Sequence, residues 1–291
     1  MTRFPAFDGT LLAHRTTGPD TTSTTGPTGS GAPLVCLPGG PTSADYLGDL
    51  GGLAAHRPLV LPDWRGTGRS ARPADPASHR CDRLVDDVEA LRVHLGAPTL
   101  DLLAHSAGAN VAARYAERHP ERVRSLVLVG PGTRAVGVEV TGACRLALAR
   151  RRAAEPWFPD AFAALNALVS GSGSAADAEA VAPFFHGRWD EAARAHHAAG
   201  RPADPEVVAG FGAEGAFDPE RTRAALAGFP GRVLVLTGEF DLNSPPEPTA
   251  ALAALFPRAR HHVQPGAGHS PWVDDPAAFT ATVTAFLAET D

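Results

Sequence analysis

Three residues of the chain have the types and the chain order that nucleophilic attack on a carbonyl group requires. They are Ser106, Asp241 and His269, in the order serine, acid, histidine. A serine hydroxyl becomes a good nucleophile when a histidine takes its proton, and a carboxylate holds the imidazole tautomer and stabilises its positive charge. The sequence therefore predicts that Ser106 attacks, that His269 is the base, and that Asp241 orients the base.

The segment around Ser106 is typical of a strand, a sharp turn and the start of a helix. Residues 99–103 form a short apolar run of the kind found in buried parallel strands. Residues 104–108, AHSAG, resemble the G-x-S-x-G pattern of a nucleophile elbow, with Ala104 in the first glycine position. Small residues are needed there because the turn brings the strand and helix backbones close together. A serine at such a junction can also be a simple helix N-cap, so the rest of the chain must decide.

Two of the three positions have competitors nearby in the sequence. Glu239 lies two residues before Asp241. The spacing of the two acids after the preceding buried strand favours Asp241. His261 and His262 lie inside another predicted strand, whereas His269 follows that strand on the glycine-rich loop GAGHS. The sequence therefore favours Asp241 and His269 as the partners of the serine.

An oxyanion forms when a carbonyl is attacked, and it needs two fixed N–H donors. The residue after the nucleophile, Ala107, can supply one backbone N–H, and Gly40 can supply the other from the loop after the first buried strand. His105 adjoins Ser106, but neighbouring side chains diverge at a sharp turn. We therefore interpret His105 as a structural or pocket-wall residue.

These residues follow strands of a predicted parallel sheet, and ligands of such sheets bind at the carboxyl ends of the strands. We predict an α/β core made of residues 1–130 and 230–291, with helices on both faces of a mostly parallel sheet. Residues 131–229 show no convincing strand and are predicted to form a helical lid. Residues 16–32 are polar and of low complexity, and are interpreted as a flexible surface connection. The predicted strands are 33–37, 59–61, 99–103, 123–129, 233–236 and 259–263, and the predicted helices are 43–55, 82–95, the segment from the elbow to 119, 249–255 and 276–289.

The first residues of the chain carry a hairpin signal. Asp8 and Gly9 lie between two short apolar runs, and an Asp-Gly pair in that position predicts a type I′ turn.

Composition excludes several classes of function. The 291 residues carry a net charge of −6, which argues against nucleic acid or an anionic membrane as a partner. All 26 basic residues are arginine, so Schiff-base chemistry, a Ser-Lys dyad and a P-loop lysine are excluded. Three widely spaced cysteines suit neither a disulfide framework nor a zinc site. We find no cofactor or metal motif and no signal or membrane segment, so we expect a cofactor-independent, soluble, cytoplasmic protein with a small-molecule substrate.

Five motifs together resemble those of the α/β-hydrolase family. GGP and D-x-R-G-x-G-x-S resemble the proline-iminopeptidase-like branch, whose members cleave N-terminal residues from small peptides. The elbow departs from that branch, which tends to have Gly-Gly-Ser-Trp-Gly, and AHSAG is closer to esterases and thioesterases. We interpret the D-x-R-G-x-G-x-S loop as scaffold. The motifs are LPGGP (37–41), DWRGTGRS (63–70), AHSAG (104–108), GEFD (238–241) and GAGHS (266–270).

The resemblance implies a serine hydrolase that cleaves a small ester, thioester or amide. An aminopeptidase of the proline iminopeptidase type is one alternative, and a non-hydrolytic ligand-binding protein, cyclase or lyase of the same fold is another. A serine at position 106 excludes haloalkane dehalogenases and epoxide hydrolases, which need a carboxylate nucleophile. An aminopeptidase would also need an acid for the substrate amine, and the candidates in the helical segment are Glu155, Asp190, Glu191 and Glu214.

Aromatic residues of the helical segment are candidates for an apolar substrate pocket. Each of them could instead pack only against the segment's own helices. The residues predicted to line the pocket, besides His105, are Trp157, Phe158, Phe184, Phe185 and Trp189.

Overall fold

The computed structural model describes residues 1–19, 32–200 and 204–289. These residues contain one eight-stranded sheet with the order β1-β2-β4-β3-β5-β6-β7-β8. The first two strands pair antiparallel, β2 pairs antiparallel with β4, and all the other neighbours are parallel. The strands are β1 (Thr2–Pro5), β2 (Leu11–Thr17), β3 (Leu34–Leu37), β4 (Leu59–Pro62), β5 (Leu100–His105), β6 (Val123–Val129), β7 (Arg232–Gly238) and β8 (Ala259–Gln264). The prediction of a mostly parallel α/β sheet is confirmed.

Both faces of this sheet are covered, which explains why its central strands are mostly apolar. Leu102 and Ala104 of β5 belong to one buried cluster, and Leu103 between them belongs to the cluster on the opposite face. The helices are α1 (Cys81–His94), α2 (Gly108–Arg118), α3 (Gly142–Ala149), α4 (Phe158–Val169), α5 (Ala175–Ala180), α6 (Glu191–Ala199), α7 (Pro205–Phe211), α8 (Pro219–Leu226), α9 (Pro246–Ala253), α10 (Pro271–Asp274) and α11 (Pro276–Ala288). Within the described ranges, no helix has the length and apolar character needed to cross a bilayer.

The N-terminal hairpin forms as predicted, but its turn is of a different type. A type I′ turn requires a positive φ at both Asp8 and Gly9, and only Gly9 has one, at 82°. The N–H of Gly9 donates to the carbonyl of Ala6 at 3.0 Å, and the N–H of Ala6 donates to the carbonyl of Thr10 at 2.8 Å. The loop therefore has three residues and ends in a left-handed glycine, which is the next most common hairpin connection.

The helix predicted over residues 43–55 is wrong. Only two short 3₁₀ turns form there, Ala44–Leu47 and Leu53–Ala55. Between them the chain turns through left-handed backbone, since Leu50 has a φ of 55° and the glycines beside it at 48, 51 and 52 also have positive φ. A run of such conformations cannot continue a right-handed helix.

The described part of residues 131–229 contains helices α3 to α8 and no strand. A separate buried cluster, which includes Ala149, Leu165 and Phe184, holds α3, α4 and the following turn together. The end of the segment packs differently, because Leu226 and Phe229 belong to the sheet cluster that also contains Leu102 and Ala104. The domain division remains a prediction. The connection predicted at 16–32 lies for the most part outside the described residues, and its first two residues complete β2.

The loop at residues 63–70 packs as scaffold. The carboxylate of Asp63 accepts the N–H of Ala44 at 2.9 Å and the N–H of Arg69 at 3.0 Å. The side chain of Arg65 is fully buried and pairs with Asp87 on α1, and with Asp8 at 2.7 Å. These contacts tie the loop to the N-terminal hairpin and to α1.

Candidate active site

Ser106 lies at the turn between β5 and α2, in a strained conformation with a φ of 52°. Its N–H donates to the carbonyl of Val129 at 3.0 Å, and its own carbonyl accepts the N–H of Gly132 at 2.8 Å. A Cβ on Gly108 would lie 2.9 Å from the carbonyl oxygen of Leu37, so a larger residue has no room there. These contacts hold a non-glycine residue in backbone geometry that typically costs about 1–3 kcal/mol.

The structure brings Ser106, His269 and Asp241 into direct contact. Nε2 of His269 lies 3.0 Å from the hydroxyl of Ser106, and Nδ1 of His269 lies 2.8 Å from Oδ2 of Asp241. Since a carboxylate accepts hydrogen bonds, Nδ1 carries the proton and Nε2 is free to accept the one on Ser106. This is the geometry that a serine nucleophile, its base and an orienting acid need.

Asp241 is fully buried and its second oxygen is also occupied. Oδ1 accepts the N–H groups of Asn243 and Ser244, each at 2.9 Å. The hydroxyl of Ser244 donates to the carbonyl of Gly130 at 2.7 Å, which ties the loop after β7 to the end of β6. The two N–H groups on Oδ1 and the bond from Ser244 to Gly130 therefore hold the carboxylate with Oδ2 towards His269.

Two of the three competing residues, Glu239 and His261, have other partners. Glu239 pairs with Arg151 and accepts the N–H of Gly266 at 2.9 Å. On β8, Nε2 of His261 lies 3.1 Å from the hydroxyl of Thr249, a residue of α9. Neither residue contacts Ser106, whereas His269 does and Asp241 contacts His269.

A buried hydrogen-bond chain joins the loop after β3 to His269. The N–H of Gly39 donates to the hydroxyl of Tyr46 at 2.7 Å, and that hydroxyl lies 2.7 Å from Nδ1 of His105. Nε2 of His105 lies 2.9 Å from the carbonyl of His269 and must donate to it, so Nδ1 accepts the hydroxyl proton of Tyr46. Burial lowers the pKa of His105 well below its usual value, which keeps this ring neutral. The ring of His105 therefore links the loop after β3 to the loop that carries His269.

The two expected oxyanion donors flank the same loop and the elbow. Within the described ranges, the backbone N–H groups of Gly40 and Ala107 have no protein acceptor, whereas the N–H of Gly39 is bound to Tyr46. A Cβ on Gly39 would lie 2.7 Å from the Cβ of Ser106, which shows how closely the loop approaches the serine.

A cavity of about 480 Å³ opens beside Ser106 and His269. His105 and Phe185 line it, as predicted from the sequence. Three further lining residues were not predicted from the sequence. They are His186, His196 and His197 of the helical segment. Burial lowers the pKa of His186 to about 4, and burial also lowers the pKa of His196, so both rings are neutral near pH 7. Asn243 and Tyr46 were missed as well, and nothing in the local sequence marks these residues as pocket residues.

The other predicted pocket residues do not line this cavity, which corrects that assignment. Trp157 packs edge-on against Phe184 with ring centroids 4.9 Å apart, and Phe158 stacks on Phe162 at 4.8 Å. The ring of Trp189 packs against the ring of His186, another residue of the helical segment. The rings of Trp157, Phe158 and Trp189 pack within the segment, the simpler of the two possibilities that the sequence left open, whereas Phe184 lies on the wall of a second cavity.

Charged groups around the cavity are paired. Asp45 is the one carboxylate of the described cavity wall, and the guanidinium of Arg69 donates to both of its oxygens, at 2.9 and 3.2 Å. The four acids considered as amine-binding groups lie elsewhere: Glu155 pairs with Arg152, Asp190 caps α6, and Glu191 and Glu214 are exposed. In the described parts of the chain, no three His, Cys, Asp or Glu side chains cluster as a metal site would require.

Comparisons with known proteins agree with this architecture. Residues 32–276 match the family model described as alpha/beta hydrolase fold. The 2-hydroxymuconate semialdehyde hydrolase of Pseudomonas sp. (strain CF600) is 31% identical over 274 residues, which cover 90% of this chain and 89% of that protein.

Two solved structures are similar over nearly their whole length. The proline iminopeptidase of Mycobacterium smegmatis superimposes with a TM-score of 0.75 at 24% identity, covering 98% of this chain and 97% of that one. A thermophilic esterase from Thermogutta terrifontis gives a TM-score of 0.71 at 24% identity, covering 99% of both chains. At this level of identity the two structures show the fold alone. The family match and the semialdehyde hydrolase show more: the chain belongs to the α/β-hydrolase family and is a hydrolase of that type.

Proposed function

We propose that the protein is a cofactor-independent serine hydrolase that cleaves a small ester, thioester or amide through an acyl-enzyme on Ser106. The observation that carries this proposal is the continuous contact of Ser106, His269 and Asp241, at 3.0 and 2.8 Å. His269 takes the proton of Ser106 as the hydroxyl oxygen attacks the carbonyl carbon, and then gives that proton to the leaving group. A water molecule, activated by the same ring, releases the acyl group and restores the serine.

The N–H groups of Gly40 and Ala107 stabilise the oxyanion of the tetrahedral intermediate. Their lack of a protein acceptor and the close approach of the Gly39–Gly40 loop to Ser106 support this role. Removal of one such donor typically lowers turnover by about 10²–10³-fold.

The helical segment acts as a lid over this site. Phe185, His186, His196 and His197 line the cavity. The carbonyl of Phe185 also accepts the N–H of His269 at 2.8 Å, so the segment contacts the base directly.

The charges of the cavity favour a substrate without a free amine. An aminopeptidase needs a carboxylate to hold the α-ammonium group, and Asp45, the carboxylate found among the described wall residues, is already paired with Arg69. Burying an ammonium group without such a partner is costly. An uncharged ester is therefore the favoured substrate class over an N-terminal peptide bond.

The test is labelling with a fluorophosphonate followed by intact-mass measurement and assays of p-nitrophenyl butyrate and proline p-nitroanilide. We expect one adduct, ester turnover, and loss of both in Ser106→Ala. The matched control is Ser43→Ala, which removes another hydroxyl from the same cavity and should keep the adduct. Turnover retained by Ser106→Ala, or no adduct on the folded protein, would overturn the proposal. Faster cleavage of the anilide than of the ester would instead identify an aminopeptidase.

A further inference from the structure

A second cavity, of about 300 Å³, lies within the helical segment. It is bounded by α3, α4 and the turn at residues 182–185, and its walls are mostly aliphatic and aromatic. Leu165, Phe184 and Leu242 on these walls are at most 6% exposed. Such a lining suits an apolar chain.

One charged side chain stands at this cavity. Arg145 of α3 is the ionisable residue on its described walls, and it is partly buried. Its guanidinium has no hydrogen bond or ion pair with any described residue, whereas the nearby Arg151 pairs with Glu239 and Arg152 donates to the carbonyl of His186. A partly buried guanidinium without a partner favours an anionic ligand group, and its planar donors fit a carboxylate.

Phe185 separates this cavity from the one beside Ser106. It belongs to the walls of both cavities. Leu242, which also lines the second cavity, directly follows Asp241 in the chain. The second cavity therefore adjoins the site that holds Ser106 and Asp241.

We propose that the second cavity is a subsite for an apolar arm of the substrate that ends in a carboxylate bound by Arg145. This proposal rests on the proposed function and specifies its substrate class: an uncharged ester group near Ser106, joined by an aliphatic arm to a distant carboxylate. The first cavity suits the uncharged ester group, since it holds no unpaired charge on its described walls. The second cavity suits the carboxylate, since it offers one cation.

The first experiment measures kcat/KM for two p-nitrophenyl esters of equal chain length, octanoate and the monoester of suberate. In the wild-type protein we expect the suberate ester to be favoured, and Arg145→Gln to lower the suberate-to-octanoate ratio about tenfold, as loss of one charged hydrogen bond would. Arg83→Gln is the matched control, because Arg83 is an exposed arginine of the core helix α1 and should leave the ratio unchanged. An unchanged ratio in Arg145→Gln overturns the proposal.

The second experiment tests the apolar walls. Along the series from p-nitrophenyl acetate to octanoate, each methylene that becomes buried should raise kcat/KM about fourfold. Leu168→Trp fills part of the second cavity and should end this rise at a shorter chain. The same rise in wild-type and Leu168→Trp proteins would count against the subsite.

A binding measurement separates failure of the subsite from failure of the proposed chemistry. Calorimetric titration of Ser106→Ala with octanoate needs no turnover, and we expect binding that weakens about tenfold when Arg145→Gln is added. If no ester is hydrolysed but octanoate binds through Arg145, the subsite stands and the proposed reaction fails. If esters are hydrolysed and octanoate does not bind, the reaction stands and the subsite fails.

Discussion

Replacing Tyr46 by phenylalanine removes one oxygen atom and breaks two hydrogen bonds of the site. The N–H of Gly39 loses its acceptor at 2.7 Å, and Nδ1 of His105 loses its donor at 2.7 Å. The remaining bond from His105 to the carbonyl of His269 then holds a ring that is no longer fixed on its other side. The substitution thus disconnects the loop that carries Gly40 from the loop that carries the base.

The size of the effect follows from these contacts. An unsatisfied buried polar group typically costs about 1–3 kcal/mol, and two are left, so we expect the free energy of unfolding to fall by about 2–6 kcal/mol. Complete loss of an oxyanion donor costs about 10²–10³ in turnover. Because the Gly40 N–H is displaced rather than removed, kcat should fall less, by about 10–100-fold, with KM changed by less than about threefold.

The assay is steady-state hydrolysis of p-nitrophenyl butyrate together with urea unfolding. Tyr115, the second of the two tyrosines in the chain, provides the control. Its hydroxyl donates to Glu89 at 2.7 Å in the core, away from the cavity, so Tyr115→Phe should lose stability and keep its kcat. A kcat for Tyr46→Phe within twofold of wild type, or equal losses of kcat in both variants, would refute the reasoning.

Two further predictions concern residues that sequence motifs do not mark. Gly130→Ala should lower kcat at least tenfold, because a Cβ there would lie 2.9 Å from Oδ2 of Asp241 and 3.1 Å from Nδ1 of His269. Its φ of 48° should also cost about 1–2 kcal/mol of stability in the alanine variant. Steady-state kinetics and a melting curve measure the two effects, and wild-type kinetics would contradict the prediction. Asp101→Asn should cost about 3–5 kcal/mol in urea unfolding, because it leaves the buried Arg57 without its carboxylate. Burial alone would raise the pKa of Asp101, but hydrogen bonds from arginine and serine and a second arginine charge lower it to about 2. Because the pKa is lowered, the stability that Asp101 contributes is present above about pH 4 and is lost as the pH falls towards 2. The difference in unfolding free energy between wild type and Asp101→Asn should therefore shrink on acidification. A difference that stays constant down to pH 2 would disprove the assignment.

Features carried by local patterns could be predicted from the sequence. Apolar runs such as 126–129 identify central strands, because a strand covered on both faces is mostly apolar. The parallel order then brings the residues after β5, β7 and β8 to one edge of the sheet, so Ser106, Asp241 and His269 meet.

Features that depend on tertiary packing could not be predicted. The segment 43–55 contains helix-forming residues, but its left-handed turn at Leu50 buries that side chain in the cluster on one face of the sheet. The rings of Trp157 and Phe158 pack inward although the pattern also suited a pocket. His196 and His197 lie on a short helix whose rotation about its axis decides which residues face the cavity. That rotation depends on neighbours distant in sequence.

The hydrogen bond from His269 to position 185 uses the main chain on both sides. Every amino acid has the same carbonyl group, so this support for the base does not depend on which side chain occupies position 185. The Phe185 side chain, in contrast, contributes to both cavities. Evolution or a protein engineer can therefore vary this residue to change the range of accepted substrates while the base keeps its anchor, and a saturation library at position 185 is the natural starting point for redesigning specificity.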